Sequence, residues 1–122
     1  MKYLILIHSN PASRAIWESF SDEQRAEGFA YYAALNDDLV ASGELIASEA
    51  LADPSLGTRL PMRDDRAAPD GPFAEAKEHL AGFFLIDCES RERALEIAAR
   101  VPEADLGLVE VRPILNYNGP DM

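Results

Sequence analysis

Two carboxylates and an ammonium lie a few residues apart in the run Asp70-Gly71-Pro72-Phe73-Ala74-Glu75-Ala76-Lys77-Glu78. Asp70-Gly71 permits a tight turn, Pro72 fixes the next φ, and Phe73 can pin the loop to a core, so the backbone beneath these charges is stiff. Asp70 and Glu75 can then share acid and base roles, with Lys77 as electrostatic partner, or all three can hold a polar ligand. The plainer alternative is a turn carrying solvated ion pairs. Four further residues are candidates for ligand contact. His8 ends an apolar strand, where side chains of several elements converge. Tyr32 and Asn36 stand one turn apart on a helix face; a tyrosine there can be core, whereas a buried amide is costly without partners. Arg112 alternates with Glu110 on one face of the last strand, as a ligand contact or as a surface or interface pair.

Other chemistries find little support. Cys88 and two distant histidines, His8 and His79, offer no metal-ligand spacing. No glycine-rich phosphate loop and no G-x-S-x-G elbow is present. Haem would need His8 or His79 as a proximal ligand, and nothing else favours it. No cofactor is expected.

The elements that must position these residues follow from apolar patterning. Lys2 to His8 and Leu80 to Ile86 are apolar without alternation, as in central strands covered on both faces. Asn10-Pro11 ends the first strand, and Ile16, Trp17 and Phe20 offer a short helical or looped anchor. Ser21 and Gln24 form a capping box that opens a helix running to Ser42, with Gly43 as its stop. Phe29, Tyr32, Ala33, Asn36, Leu39 and Val40 share one side of that helix. Glu44 to Leu51 reads as a second strand, followed by a loop about Asp53-Pro54 and Gly57. Thr58 to Met62 and Arg66 to Ala68 suggest a hairpin that Pro61 and Pro69 restrict to a sheet edge. Ser90 caps a last helix carrying Ala94, Leu95, Ile97, Ala98 and Val101, ended by Pro102. Leu108 to Ile114 is the closing strand, with Val109 and Val111 on one face and Glu110 and Arg112 on the other.

Two right-handed βαβ halves fold into an antiparallel sheet with both helices on one face, the ferredoxin-like βαββαβ arrangement of α+β proteins, here with an extra edge hairpin. Strands apolar on both faces need a second cover, and the same face of another copy is the simplest one. A homodimer is therefore expected.

Composition bounds the partners. A chain of 122 residues fits one domain spanning 1–122, and a hydrophobic fraction of 48% suffices for one core. A formal charge of -11 repels phosphate backbones and anionic headgroups, so neither nucleic acid nor a membrane is an expected partner. The apolar run from Tyr3 to Ile7 is far shorter than a signal-peptide core or a membrane span. A single cysteine cannot form an intrachain disulfide and fits a reducing, cytoplasmic setting.

The motif Asp70 to Phe73 with Ala74, Glu75, Lys77 and Glu78 resembles the YCII-related proteins of the DGPF type. Lys2 to Ile7 is similar to that family's opening strand, Gly82-Phe83-Phe84-Leu85-Ile86-Asp87 to its Gly-aromatic strand, and Val109 to Pro113 to its closing strand. The resemblance implies a dimeric α+β barrel of ferredoxin-like protomers, which agrees with the need for a second cover. Family members are often encoded beside alternative sigma factors, which implies an accessory or regulatory role. Related YCII proteins have a His and Asp pair proposed as an active site. His79 stands where the family more often has Gln and His8 where Tyr is usual, so the resemblance carries no catalytic histidine over to this chain.

Two functions remain in view. One is a dimer that binds a small polar ligand or acts as an accessory or regulatory protein. The other is a cofactor-independent enzyme on a small metabolite, using Asp70 or Glu75 in acid-base chemistry with Lys77.

Overall fold

The computed structural model describes residues 1–61, 63 and 78–115. Strand β1 (Lys2–Ser9) is followed by helices α1 (Pro11–Ser19) and α2 (Asp22–Ser42), then β2 (Leu45–Ala50), β3 (His79–Asp87), α3 (Arg91–Ala99) and β4 (Val109–Pro113). The sheet order is β2-β3-β1-β4, with antiparallel pairing of β1 to both β3 and β4 and of β2 to β3. β1 and β2 are thus parallel with β3 between them, which is the ferredoxin-like α+β topology read from the sequence. The two apolar runs, β1 and β3, are the central pair.

Local chemistry sets the boundaries. The Ser21 side chain accepts from the Gln24 N–H at 3.1 Å, and Gln24 Oε1 accepts from the Ser21 N–H at 2.8 Å. At the far end Gly43 takes a left-handed φ of 79°, open to glycine at little cost, and Glu44 N–H donates to the Leu39 carbonyl. Ser90 accepts from the Arg93 N–H and starts α3. A second capping box at Asn10 and Ser13 makes Pro11–Ser19 a regular helix, where the sequence left a helix or a loop open.

The core lies between the sheet and helices α2 and α3. Tyr3, Ile5 and Ile7 of β1 and Phe84 and Ile86 of β3 meet Leu35 and Leu39 of α2 and Ala94, Ile97 and Ala98 of α3. Ile5, Leu35, Leu39, Ile86, Ile97 and Val101 are fully buried, each contributing about 1.5–3 kcal/mol of transfer free energy. Arg93 clamps Glu44 through two hydrogen bonds of 2.9 and 3.0 Å, tying α3 to the end of α2. That guanidinium, helped by the Ser42 hydroxyl, holds the Glu44 carboxyl below its ordinary range. Arg100 reaches Asp38 at 2.6 Å and makes the second tie between the helices.

Three expectations need correction. The buried stripe of α2 is Tyr32, Leu35, Asn36 and Leu39, whereas Phe29 and Val40 are 65% and 60% exposed. At 100° per residue the core-facing arc is turned toward Leu35, so Phe29 falls beyond it and meets Trp17 of α1 edge-on at 5.3 Å. In α3, Leu95 is exposed while its neighbours Ala94, Ile97 and Ala98 are buried, since α3 offers only one face to the sheet. In the expected edge hairpin, Thr58 to Pro61 is not strand; Met62 and the second arm, Arg66 to Ala68, lie outside the described residues.

Gly82 marks the tightest approach in the sheet. A Cβ there would stand 2.9 Å from the Glu49 carbonyl oxygen and 3.4 Å from the Ala50 Cα, both backbone atoms of paired β2. Replacement by alanine therefore has to push two hydrogen-bonded strands apart. Gly82→Ala is expected to lower unfolding free energy by about 1–3 kcal/mol in urea titrations, whereas an unchanged midpoint would show that β2 gives way freely.

Candidate ligand-binding site

Three elements deliver charged side chains to the end of the sheet where β1 finishes and β3 begins. Ser9, the last residue of β1, pairs with His79, the first of β3. The Asn10 side chain accepts from the Ser13 N–H at 2.7 Å, while Ser13 Oγ accepts from the Asn10 N–H at 2.9 Å. This reciprocal cap sets the direction of α1 and places Arg14 one turn along it, its N–H on the Asn10 carbonyl. On the third side, Leu51 N–H donates to the Ala81 carbonyl at 2.7 Å, and the chain leaves β2 into a 3-10 turn at Pro54–Leu56. Asp53 caps that turn, accepting from the Ser55 N–H at 2.9 Å.

Hydrogen bonds from Ser55 are the first cause that holds the Asp53 carboxyl below its ordinary range, and the nearby charges of Arg14 and His79 add to it. Asp53 is therefore ionised at neutral pH and accepts hydrogen bonds only. Arg14 is half-buried, and its Nη1 is shielded from solvent with no hydrogen-bond partner. An unsatisfied buried donor costs about 1–3 kcal/mol, and more on a charged group, so its presence is a cost the fold carries.

A cleft of about 690 Å³ opens here, with Asp53, Arg59, Glu78 and His79 among its polar walls. Leu51, Pro54, Leu56 and Leu80 supply apolar wall, of which Leu56 is 75% exposed. Convergent polar groups against apolar wall are the usual composition of a small-molecule site. Glu78, on the cleft wall, is the last residue of the Asp-Gly-Pro-Phe motif run in the sequence.

The other candidates lie elsewhere. Tyr32 stacks on Phe84 with ring centroids 6.4 Å apart and an interplanar angle of 10°, and its hydroxyl donates to Glu103. Burial first, and the Glu103 carboxylate second, push its phenol well above the ordinary range, so Tyr32 is a neutral donor at any physiological pH. Asn36 Oδ1 accepts from Ser48 Oγ at 2.7 Å, which meets the partner requirement of that amide oxygen. Both residues belong to the layer between α2 and the sheet. His8 and Arg112 share the opposite sheet face: His8 Nε2 stands 3.4 Å from Glu110 Oε1, and Arg112 Nε 3.8 Å from Glu110 Oε2. Asp70, Glu75 and Lys77, with Gly71 and Phe73, lie outside the described residues.

Sequence reasoning did not join Arg14, Asp53 and His79. Two local signals were present: Asn10-x-x-Ser13, which makes α1 a helix with Arg14 in its first turn, and Asp53-Pro54-Ser55, an acidic cap before a turn. Among the described residues no group of three or more His, Cys, Asp and Glu side chains could hold a metal ion. A second cleft of about 430 Å³, beside Phe20, Glu27, Tyr31 and Asp105, brings carboxylates but no cation among its lining side chains.

A four-stranded antiparallel sheet backed by two helices, with a mixed polar and apolar cleft at one end, defines an α+β protein of ferredoxin-like type. The YCII-related domain matches residues 1–118, and the chain belongs to that family. It is 32% identical over 120 residues to an uncharacterised protein, R00369, of Rhizobium meliloti strain 1021, covering 96% of this chain and 94% of that one. Its fold is similar to that of 5-chloro-2-hydroxyhydroquinone dehydrochlorinase, TftG, from Burkholderia phenoliruptrix AC1100, solved in complex with 2,5-dihydroxybenzoquinone. The TM-score is 0.56 and the identity 17%, over 97% of both chains.

Proposed function

We propose that this YCII-related protein is a cytoplasmic homodimer, a single domain over 1–122, that binds a small polar ligand in the cleft beside His79, as a ligand-binding or accessory protein. The observation that carries the reading is convergence: Asp53 and Arg59, from the chain after β2, and Glu78 and His79, from the start of β3, line one cleft with apolar wall beside them, and the charge of Arg14 on α1 acts on Asp53. A solvated charge run requires no such meeting. Glu78 lines the cleft and directly follows Asp70, Glu75 and Lys77 in the sequence, and these three are the residues we expect to complete the site.

A second reading is a cofactor-independent enzyme on a small metabolite, with Asp70 or Glu75 in acid-base roles and Lys77 as partner. One observation favours it: the fold neighbour TftG is a dehydrochlorinase and holds a small oxygenated ring. The cleft offers an ionised carboxylate, Asp53, near an imidazole, His79, while its described residues include no serine, cysteine or lysine nucleophile. Binding is therefore the reading preferred.

The dimer rests on the sheet face opposite α2 and α3. Leu4 and Leu6 of β1 pair with Leu85 and Phe83 of β3 on that face, flanked by His8, Glu110 and Arg112. Neither long helix packs there, and a second copy would cover it with the same residues. No helix among the described residues is long and apolar enough to cross a membrane.

Sedimentation at micromolar concentration should give twice 13.4 kDa. A monomer that persists at millimolar concentration would remove the dimer. For the site, a thermal-shift panel of small polar metabolites should raise the melting temperature of the wild type and lose that effect in His79→Ala and Lys77→Ala. A ligand that stabilises wild type and both variants equally binds somewhere else.

A further inference from the structure

The cleft of about 430 Å³ along the first half of α2 shares no residue with the one beside His79. Gln24, Glu27, Gly28 and Tyr31 recur at helical spacing and form one wall of it. Phe20, from the junction of α1 and α2, and Pro102 and Asp105, from a 3-10 turn over Pro102–Leu106, supply the rest. These parts are held in place. Tyr32 donates to Glu103 and so ties that turn to α2 next to Tyr31, while Phe20 leans on Trp17 with ring centroids 5.9 Å apart. Trp17 also reaches within 3.3 Å of the place a Cβ on Gly28 would take, which packs α1 against α2 at the cleft.

Glu27 and Asp105 are the charged side chains of the lining, and no lysine, arginine or histidine joins them among the described residues. Neither carboxylate makes a hydrogen bond or ion pair with another described side chain. Arg25, the cation nearest to Glu27 in the sequence, is committed to α1: its Nε donates to the Trp17 carbonyl at 3.2 Å and its Nη2 to the Glu18 carbonyl at 3.1 Å. Asp22 and Glu23 offset the positive end of α2. The cleft therefore calls for a cation from outside. A bare metal ion fits poorly, because hard cations take six or more oxygens and no group of three or more His, Cys, Asp and Glu side chains is present among the described residues. The rings of Phe20 and Tyr31 favour instead a cation that carries carbon, since a ring face attracts an ammonium and an apolar body covers it.

We propose that this cleft binds a small organic ammonium ion, its charge received by Glu27 and Asp105 and its apolar part laid on Phe20 and Tyr31.

The test uses cyclohexylmethylammonium as probe, with cyclohexylmethanol as its uncharged counterpart and magnesium as the inorganic cation, followed by amide NMR on the full chain at constant ionic strength. The ammonium should displace the resonances of Gln24–Tyr31 and Glu103–Asp105 on one saturating curve, binding about tenfold more tightly than the alcohol. Glu27→Gln and Asp105→Asn should each weaken it, and the two together should erase the advantage over the alcohol; both side chains are exposed, so the fold should survive. Glu92→Gln, which removes an exposed carboxylate from the first turn of α3, should leave binding unchanged. Equal binding of ammonium and alcohol, or no saturable shift at these residues, would overturn the site. An advantage that survives the double variant, or that Glu92→Gln reduces as much as Glu27→Gln does, would show attraction by the net charge of -11 alone and overturn it as well. Equal displacement by magnesium would overturn the organic class.

Discussion

The pairing of β1 with β3 is the constraint on which the rest of the structure depends. It runs from Lys2 opposite Asp87 to Ser9 opposite His79, and it fixes the face of every core side chain on both strands. A slip of one residue would turn Ile5 and Phe84 away from α2 and α3, and the core would be lost. Both flanking strands read their register from this pair. β4 lies along β1, with the His8 N–H on the Leu108 carbonyl, while β2 lies along β3 at the close contact that requires Gly82.

The same pairing builds the cleft through one irregularity. Ile7 faces Gly82 and His8 faces Leu80, so Ala81 is passed over in the ladder. Such a bulge reverses the alternation beyond it. Leu80 therefore shares a face with His8, and His79 shares the face of Ser9, next to the start of α1. The skipped Ala81 gives its carbonyl to the Leu51 N–H, which steers the chain after β2 toward Asp53. One extra residue in β3 thus re-aims His79 and anchors the turn that carries Asp53. The capping box at Asn10 starts α1, whose Arg14 acts on Asp53 through its charge.

The fold was legible in the sequence to the extent that its signals are local and strong. Unbroken apolar runs placed β1 and β3 at the centre. Ser21, Gln24 and Gly43 marked α2 to the residue, and Ser90 marked α3. The alternation of Val109 and Val111 with Glu110 and Arg112 is what β4 displays. The side of α2 that faces the core was less legible, because Phe29 and Val40 are as apolar as Leu35, and only packing against α3 and the sheet separates them. The site was legible least. Tyr32, Asn36, His8 and Arg112 were singled out one at a time, and the sheet separates the first pair from the second. Arg14, Asp53 and His79 are distant in sequence and meet only through a bulge and two caps, and the bulge leaves no mark in a run that reads as continuous strand.

The claim at the centre of this account is that the end of the β1–β3 pair is where a ligand enters, and amide chemical-shift mapping by NMR tests it most directly. Titration of the full chain with a ligand selected by the thermal-shift panel of small polar metabolites should displace the resonances of Asp53, Ser55–Arg59 and Glu78–Leu80 together, along one saturating curve. Those of Gln24–Tyr31 and Glu103–Asp105, which border the acidic cleft, should stay in place. Shifts confined to that second group, or to the sheet face around His8 and Arg112, would contradict the account.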